Sequence, residues 1–140
     1  MRFRGYISSR KLSDGNFVDQ SIQNLIIRTA CEKLNIKYML SATEYGMKDC
    51  FLMLNQVMRE LKKNKFDGVA FFSIDQLPTK YKDRKKIYKL VSESKKKILM
   101  SLEGILLSNQ KEIKKFEELI KIRLLLKNCP KNLIANEFSL

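Results

Sequence analysis

The chain contains no histidine and no tryptophan, and only three cysteines, five glycines and two prolines among its 140 residues. Without histidine the usual general base near neutral pH is gone, so acid–base chemistry falls to carboxylates, lysine, tyrosine or cysteine. The cysteines, Cys31, Cys50 and Cys129, are odd in number and widely spaced, with no CxxC pair. That argues against a disulfide framework and against a zinc site, so neither metal nor cofactor is expected. No glycine-rich loop of the P-loop or dinucleotide type is present. No apolar run approaches the roughly 20 residues of a bilayer span. The start, Met1 to Tyr6, lacks the apolar stretch of a signal peptide, and the expectation is a cytoplasmic protein without membrane insertion.

Hydrophobic residues make up 44% and charged residues 31%, the balance of a chain that folds around a core. Its length suits one domain, expected over residues 1–128 with a tail at 129–140 after Cys129 and Pro130. The formal charge of +13 invites partners that are anionic. Against a dedicated nucleic-acid surface stand two observations: lysine greatly outnumbers arginine, as in a chain from a low-GC genome, and the lysines are scattered over helix faces rather than interleaved with aromatics. Nucleic acid is therefore disfavoured as a partner at this level.

Strand and helix patterns alternate along the chain. Arg2 to Ile7 reads as a first strand, ended by Ser8, Ser9 and Arg10. From about Val18 to Leu34 apolar residues recur at Ile22, Leu25, Ile26, Thr29 and Ala30, predicting a helix with that stripe inward. Ile36 to Ala42 predicts a second strand, followed by a polar loop through Thr43, Glu44, Tyr45 and Gly46. Asp49 is a plausible N-cap for a helix reaching Asn64. Asp67 to Ile74 is the strongest strand, a nearly continuous apolar run of the kind buried on both faces of a parallel sheet. A third helix is expected from about Asp83 to Lys96, a fourth strand from Lys97 to Leu102, and a short edge strand over Ile105 to Leu107. The last helix, roughly Gln110 to Lys127, carries more apolar residues than one stripe needs, which predicts a homo-oligomer joined through it. The alternation implies a three-layer α/β/α fold, flavodoxin-like or resolvase-like, with a mostly parallel sheet of four to five strands in the order 2-1-3-4, the fifth at an edge.

In such sheets ligands bind beyond the carboxyl ends of the strands, near the point where the strand order reverses. That point lies between the first and third strands. Four strand ends bring polar residues there. Arg10 is suited to gripping a phosphate or carboxylate bidentately, and Ser8 or Ser9 to donating to that anion or attacking an electrophile. Glu44 is the candidate acid or base and Tyr45 a candidate proton donor. Gln23, Asn24, Arg28, Ser41, Thr43, Ser73, Gln76 and Glu103 are candidate ligand-binding residues around them. Loops after strands are polar in any case, and Gln23, Asn24 and Arg28 also fit a solvated helix face. Cys50 reads either as a thiol near a helix N-terminus, where the dipole favours thiolate, or as a small apolar plug.

The segments Gly5-Tyr6-Ile7-Ser8-Ser9-Arg10, Gln23-Asn24-Leu25-Ile26-Ile27-Arg28 and Leu40-Ser41-Ala42-Thr43-Glu44-Tyr45, with Met47, Cys50, Asp67-Gly68-Val69, Ser73, Gln76-Leu77-Pro78 and Glu103-Gly104, resemble the sporadic carbohydrate cluster protein family. These small bacterial proteins are encoded among surface-polysaccharide genes. The resemblance implies a role in surface-glycan synthesis, binding or processing an anionic sugar or sugar nucleotide, with a non-catalytic oligomeric partner of such enzymes as the alternative. More distantly, the element order and the Gly5-Tyr6 start resemble the catalytic domain of serine recombinases. The recombinase pattern Tyr-x-Arg-x-Ser has its arginine where this chain has Ser8 and its nucleophilic serine where it has Arg10. The recombinase Asp-Arg-Leu-x-Arg stretch falls on Asp75-Gln76-Leu77-Pro78-Thr79, without either arginine. A DNA-binding recombinase relative is thus the less favoured expectation.

Overall fold

The computed structural model describes residues 1–12, 15–44, 46 and 50–128, excepting the side chains of 127 and 128. The elements are β1 (Arg2–Ser8), α1 (Gln20–Lys33), β2 (Lys37–Glu44), α2 (Leu52–Lys62), β3 (Gly68–Phe71), a 3-10 turn (Ile74–Gln76), α3 (Tyr81–Ser94), β4 (Lys97–Met100), β5 (Ile105–Leu107) and α4 (Gln110–Asn128). The five strands form one sheet in the order β2-β1-β3-β4-β5. The β1–β2, β1–β3 and β3–β4 pairs are parallel, and β5 closes the edge antiparallel to β4. This is the expected α/β class and strand order.

Every residue of β3 is buried, which is why its sequence is a continuous apolar run instead of an alternating one. Gly68 opens it because nothing larger fits: a Cβ there would stand 2.5 Å from the Lys97 carbonyl oxygen and 2.6 Å from the Phe3 ring. β1 alternates. Phe3 and Ile7 join Ile27 and Cys31 of α1, with Ala70, Phe72 and Leu99, in a buried cluster on one face. Arg4 pairs with Glu60 of α2, and Tyr6 packs on Phe71 with ring centroids 5.3 Å apart, on the other. α1 and α2 therefore cover opposite faces, with α3 packed beside α2. Left-handed residues follow the first three helices, Asn35, Asn64 and Lys95 at φ of 56°, 62° and 56°, and turn the chain back toward the sheet.

Three local expectations need correction. The inward stripe of α1 is Gln23, Ile27 and Cys31, while Ile22 and Leu25 are exposed. The helix is turned relative to its apolar pattern because a buried amide, Gln23, has backbone partners on β1. β2 runs on to Glu44, since Thr43 and Glu44 pair with Ile7 and Ser8 past an irregularity between Arg4 and Tyr6; Thr43 and Glu44 are strand residues, not loop. β3 ends at Phe71, and Ile74–Gln76 turns into a 3-10 helix because the Ser73 hydroxyl accepts the Asp75 N–H at 3.3 Å. The expected N-cap Asp49 lies outside the described residues.

The strands and first three helices form one compact unit, Met1–Asn109, and a second unit begins at Gln110. Within the second, α4 exposes Leu119, Ile122, Leu124, Leu125 and Leu126. The expected tail, 129–140, lies outside the described residues. Among the described residues no helix is long and apolar enough to cross a membrane.

Candidate functional site

The carboxyl ends of β1 and β2 meet a network of side chains that satisfy one another. Glu44 ends β2 fully buried. Its carboxylate accepts the backbone N–H groups of Met53 at 3.2 Å and Leu54 at 3.0 Å, the Tyr6 hydroxyl at 3.0 Å and the Cys50 thiol at 3.6 Å. The first amides of a helix have no partner inside it. The residue before α2, Phe51, has no side-chain oxygen to offer them, and no side-chain cap is made there. A carboxylate from the neighbouring strand fills that role, and its charge suits the positive end of the helix dipole.

Tyr6 connects this carboxylate to Arg10. Its hydroxyl donates to Glu44 and accepts from Arg10 Nη2 at 3.1 Å. Burial above all pushes its phenol well above the ordinary tyrosine range; the Arg10 charge opposes the rise and the Glu44 charge adds to it. Arg10 also donates from Nε to Ser8 Oγ at 3.0 Å, from Nη1 to the Cys50 carbonyl at 3.4 Å and from Nη2 to the Gln76 carbonyl at 3.5 Å. Its guanidinium lies 4.4 Å from the centre of the Phe51 ring, a cation–π contact. The fork of donors is thus used from several directions, which a lysine could not reproduce.

Gln23 behaves as a backbone partner at the end of β1. Its side chain accepts the Ser8 N–H at 3.2 Å and donates to the carbonyls of Ser8 and Val18, each at 2.8 Å. Gln76 donates to Gln23 at 2.8 Å and accepts the Phe72 N–H at 2.9 Å, tying the ends of β1 and β3 together. Ser8, Arg10, Gln23, Glu44, Cys50 and Gln76 therefore share one site, with Ser8 buried and Ser9 exposed at its rim.

Other candidates lie elsewhere. Asn24 accepts from Ser41 at 2.8 Å and from the Tyr38 hydroxyl, with the Arg28 guanidinium 5.8 Å from the Tyr38 ring centre. This second cluster sits toward α1, since Ser41 projects from the opposite face of β2 to Glu44. Thr43 is exposed and shares that alternation. Glu103 accepts from the Ser73 hydroxyl at 3.1 Å and the Ile74 N–H at 2.8 Å, forming a third group at the ends of β3 and β4. Tyr45 lies outside the described residues. Sequence reasoning missed Tyr6 and Phe51 as parts of the site. The available signal was alternation, which puts Tyr6 on the same strand face as Arg4 and Ser8.

Beside Cys50 and Phe51 a cleft of about 430 Å³ runs between α2 and α3, walled by Leu54, Met58 and Ile87 with Lys86 in its lining. Among the described residues no group of three or more acidic or cysteine side chains is placed to hold a metal ion.

No family model matches the chain, and no curated protein matches it. Among solved structures, the crystal structure of the N-terminal catalytic domain of TP901-1 integrase matches with a TM-score of 0.59 and 16% identity, over 89% of this chain and 95% of that one. The fold resembles that of a serine-recombinase catalytic domain. This overturns the expected place in surface-carbohydrate synthesis: the solved likeness is to the fold of an integrase catalytic domain, and no family match supports the carbohydrate cluster family. Among the described residues, the sequence segments that suggested it fall on β1 and its end, inside α1, on β2, and around β3 and β4.

Proposed function

We propose that this chain is a DNA-binding domain of the serine-recombinase type, with the tip of β1 facing the phosphate backbone. One observation carries the reading. In a fold that matches an integrase catalytic domain over 89% of the chain, a serine and an arginine occupy the end of β1, hydrogen-bonded to each other at 3.0 Å. They are the two residue types of the recombinase pattern, exchanged between Ser8 and Arg10. Arg10 supplies a cation at the strand end, and the net charge of +13 supplies the long-range attraction that nucleic-acid binding draws on. Two copies associate through the exposed apolar residues of α4.

Binding without strand cleavage is the form best supported. Glu44 is linked to Arg10 through the Tyr6 hydroxyl, and its oxygens are engaged by Tyr6, Cys50 and two backbone amides. A second reading, in which Ser9 attacks a phosphate, is favoured by the exposure of Ser9 next to Arg10. Incubation with supercoiled DNA followed by denaturation separates the two. A covalent protein–DNA product that Ser9→Ala abolishes supports cleavage, and its absence alongside salt-sensitive retention of DNA supports binding alone. Failure to retain DNA even at low salt contradicts both.

A further inference from the structure

Three aromatic rings, each with a cation against it, stand beyond the carboxyl ends of neighbouring parallel strands. Phe17 belongs to the connection from β1 to α1, Phe51 immediately precedes α2, and Tyr81 opens α3, so they follow β1, β2 and β3 in turn. In a parallel sheet those connections all leave from one edge. Lys11 Nζ lies 5.4 Å from the centre of the Phe17 ring, the Arg10 guanidinium 4.4 Å from that of Phe51, and the Arg84 guanidinium 5.9 Å from that of Tyr81. Folding thus sets cations among aromatics, an interleaving that the order of residues along the chain does not show.

Phe17 and Tyr81 are 64% and 55% exposed, so each keeps most of a large ring in water. Lys11 beside Phe17, and Lys80 and Lys82 on either side of Tyr81, are exposed as well. Rings and cations in this mixture suit single-stranded nucleic acid: the cations follow the phosphates, and every base has a π-face to lay on a ring. Paired bases are already stacked on one another inside a duplex and do not reach such rings. The cleft of about 430 Å³ beside Phe51 adds Asn55 and Asp83 in its lining, groups of the kind that bond the edge of an unstacked base.

We infer that this edge of the sheet binds single-stranded DNA, with bases laid on Phe17 and Tyr81 and one base received by the cleft beside Phe51. The inference rests on the DNA reading above and adds that unpaired bases strengthen the contact.

Fluorescence anisotropy of the full chain at low salt tests it, with a labelled oligothymidine of about 16 nucleotides, the upper end of the site sizes of single-strand binders, and an abasic strand of the same length and charge. Both strands offer the same phosphates, so only the bases distinguish them. Oligothymidine is expected to bind about twentyfold more tightly or better, and Phe17→Leu and Tyr81→Leu each to cut that preference about fivefold, the worth of one stacked base. Both positions are exposed, and leucine keeps an apolar side chain while losing the π-face. Equal affinity for the two strands in the wild type overturns the inference and leaves DNA binding standing. Variants that weaken both strands equally overturn it too, because the rings would then act on the backbone alone. Retention of neither strand overturns the inference and the DNA reading together.

Discussion

Arg10 donates from both its backbone N–H and its Nε to the hydroxyl of Ser8, each at 3.0 Å, so the cation beyond β1 is held by a residue two positions earlier. Ser8 is itself fixed by Gln23, which bonds its N–H and its carbonyl. Strand, amide and guanidinium thus form a chain of positioning contacts. Ser8→Ala removes the acceptor of both Arg10 donors, and a loss of about 1–2 kcal/mol in unfolding free energy is expected from denaturant titration. A value near zero would mean that Ser8 does not position Arg10.

Glu44 offers a sharper test of the same region. It is a buried anion whose listeners are all donors: a phenol, a thiol and two helix amides. Glu44→Gln retains the shape but turns an NH₂ group toward some of those donors, leaving buried groups unpaired. A destabilisation of about 2–3 kcal/mol is expected, together with weaker hydrogen-exchange protection of Met53 and Leu54. Full protection of those amides in the variant would show that the carboxylate does not cap α2.

The pH dependence follows from Cys31. Burial pushes its thiol from 9.0 up to about 11. The folded value is raised above the unfolded one, so the folded state holds the proton more tightly. Its contribution is fully present below pH 9 and is lost as pH climbs through about 11. Two pH units correspond to about 3 kcal/mol. Unfolding free energy should therefore fall across that window in the wild type, and fall by about that much less in Cys31→Ala. Identical slopes in the two proteins would contradict a protonated buried thiol.

Self-association through α4 predicts that a charge on its exposed apolar surface separates the copies. Ile122 and Leu125 are 53% and 66% exposed, so neither substitution disturbs a packed interior. Ile122→Glu with Leu125→Glu should convert a dimer to a monomer in sedimentation velocity without lowering helix content. A wild-type chain that sediments as a monomer at every concentration would rule this contact out.

The sheet was legible because its signals are apolar and periodic. The run from Val69 to Phe72 announced the central strand, and the short Ile105 to Leu107 segment announced an edge. The site was legible only in part. Ser8, Arg10, Glu44 and Gln76 were legible as polar residues that follow the apolar runs of the strands. Gln23 inverted the reading of α1, since a pattern built on apolar residues cannot anticipate a buried amide whose partners are the backbone of another element. Tyr6 was hidden for a related reason: an aromatic residue in a strand reads as core, and it is core, yet its hydroxyl joins Arg10 to Glu44. The likeness to carbohydrate-locus proteins rested on residues of β1, α1 and β2 and of the turns after β3 and β4, which report on fold more than on substrate.

The central claim is that Arg10 faces a DNA phosphate, and it is tested by comparing Arg10→Ala with Lys62→Ala in fluorescence anisotropy on a labelled duplex across a salt series. Both variants lose one positive charge, but Lys62 lies at the far end of α2. The account predicts that Arg10→Ala weakens binding about tenfold or more and lowers the salt slope by roughly one phosphate contact, while Lys62→Ala changes affinity by less than about threefold. Equal losses in the two variants would mean that DNA responds to net charge alone, and would contradict a phosphate site at the tip of β1.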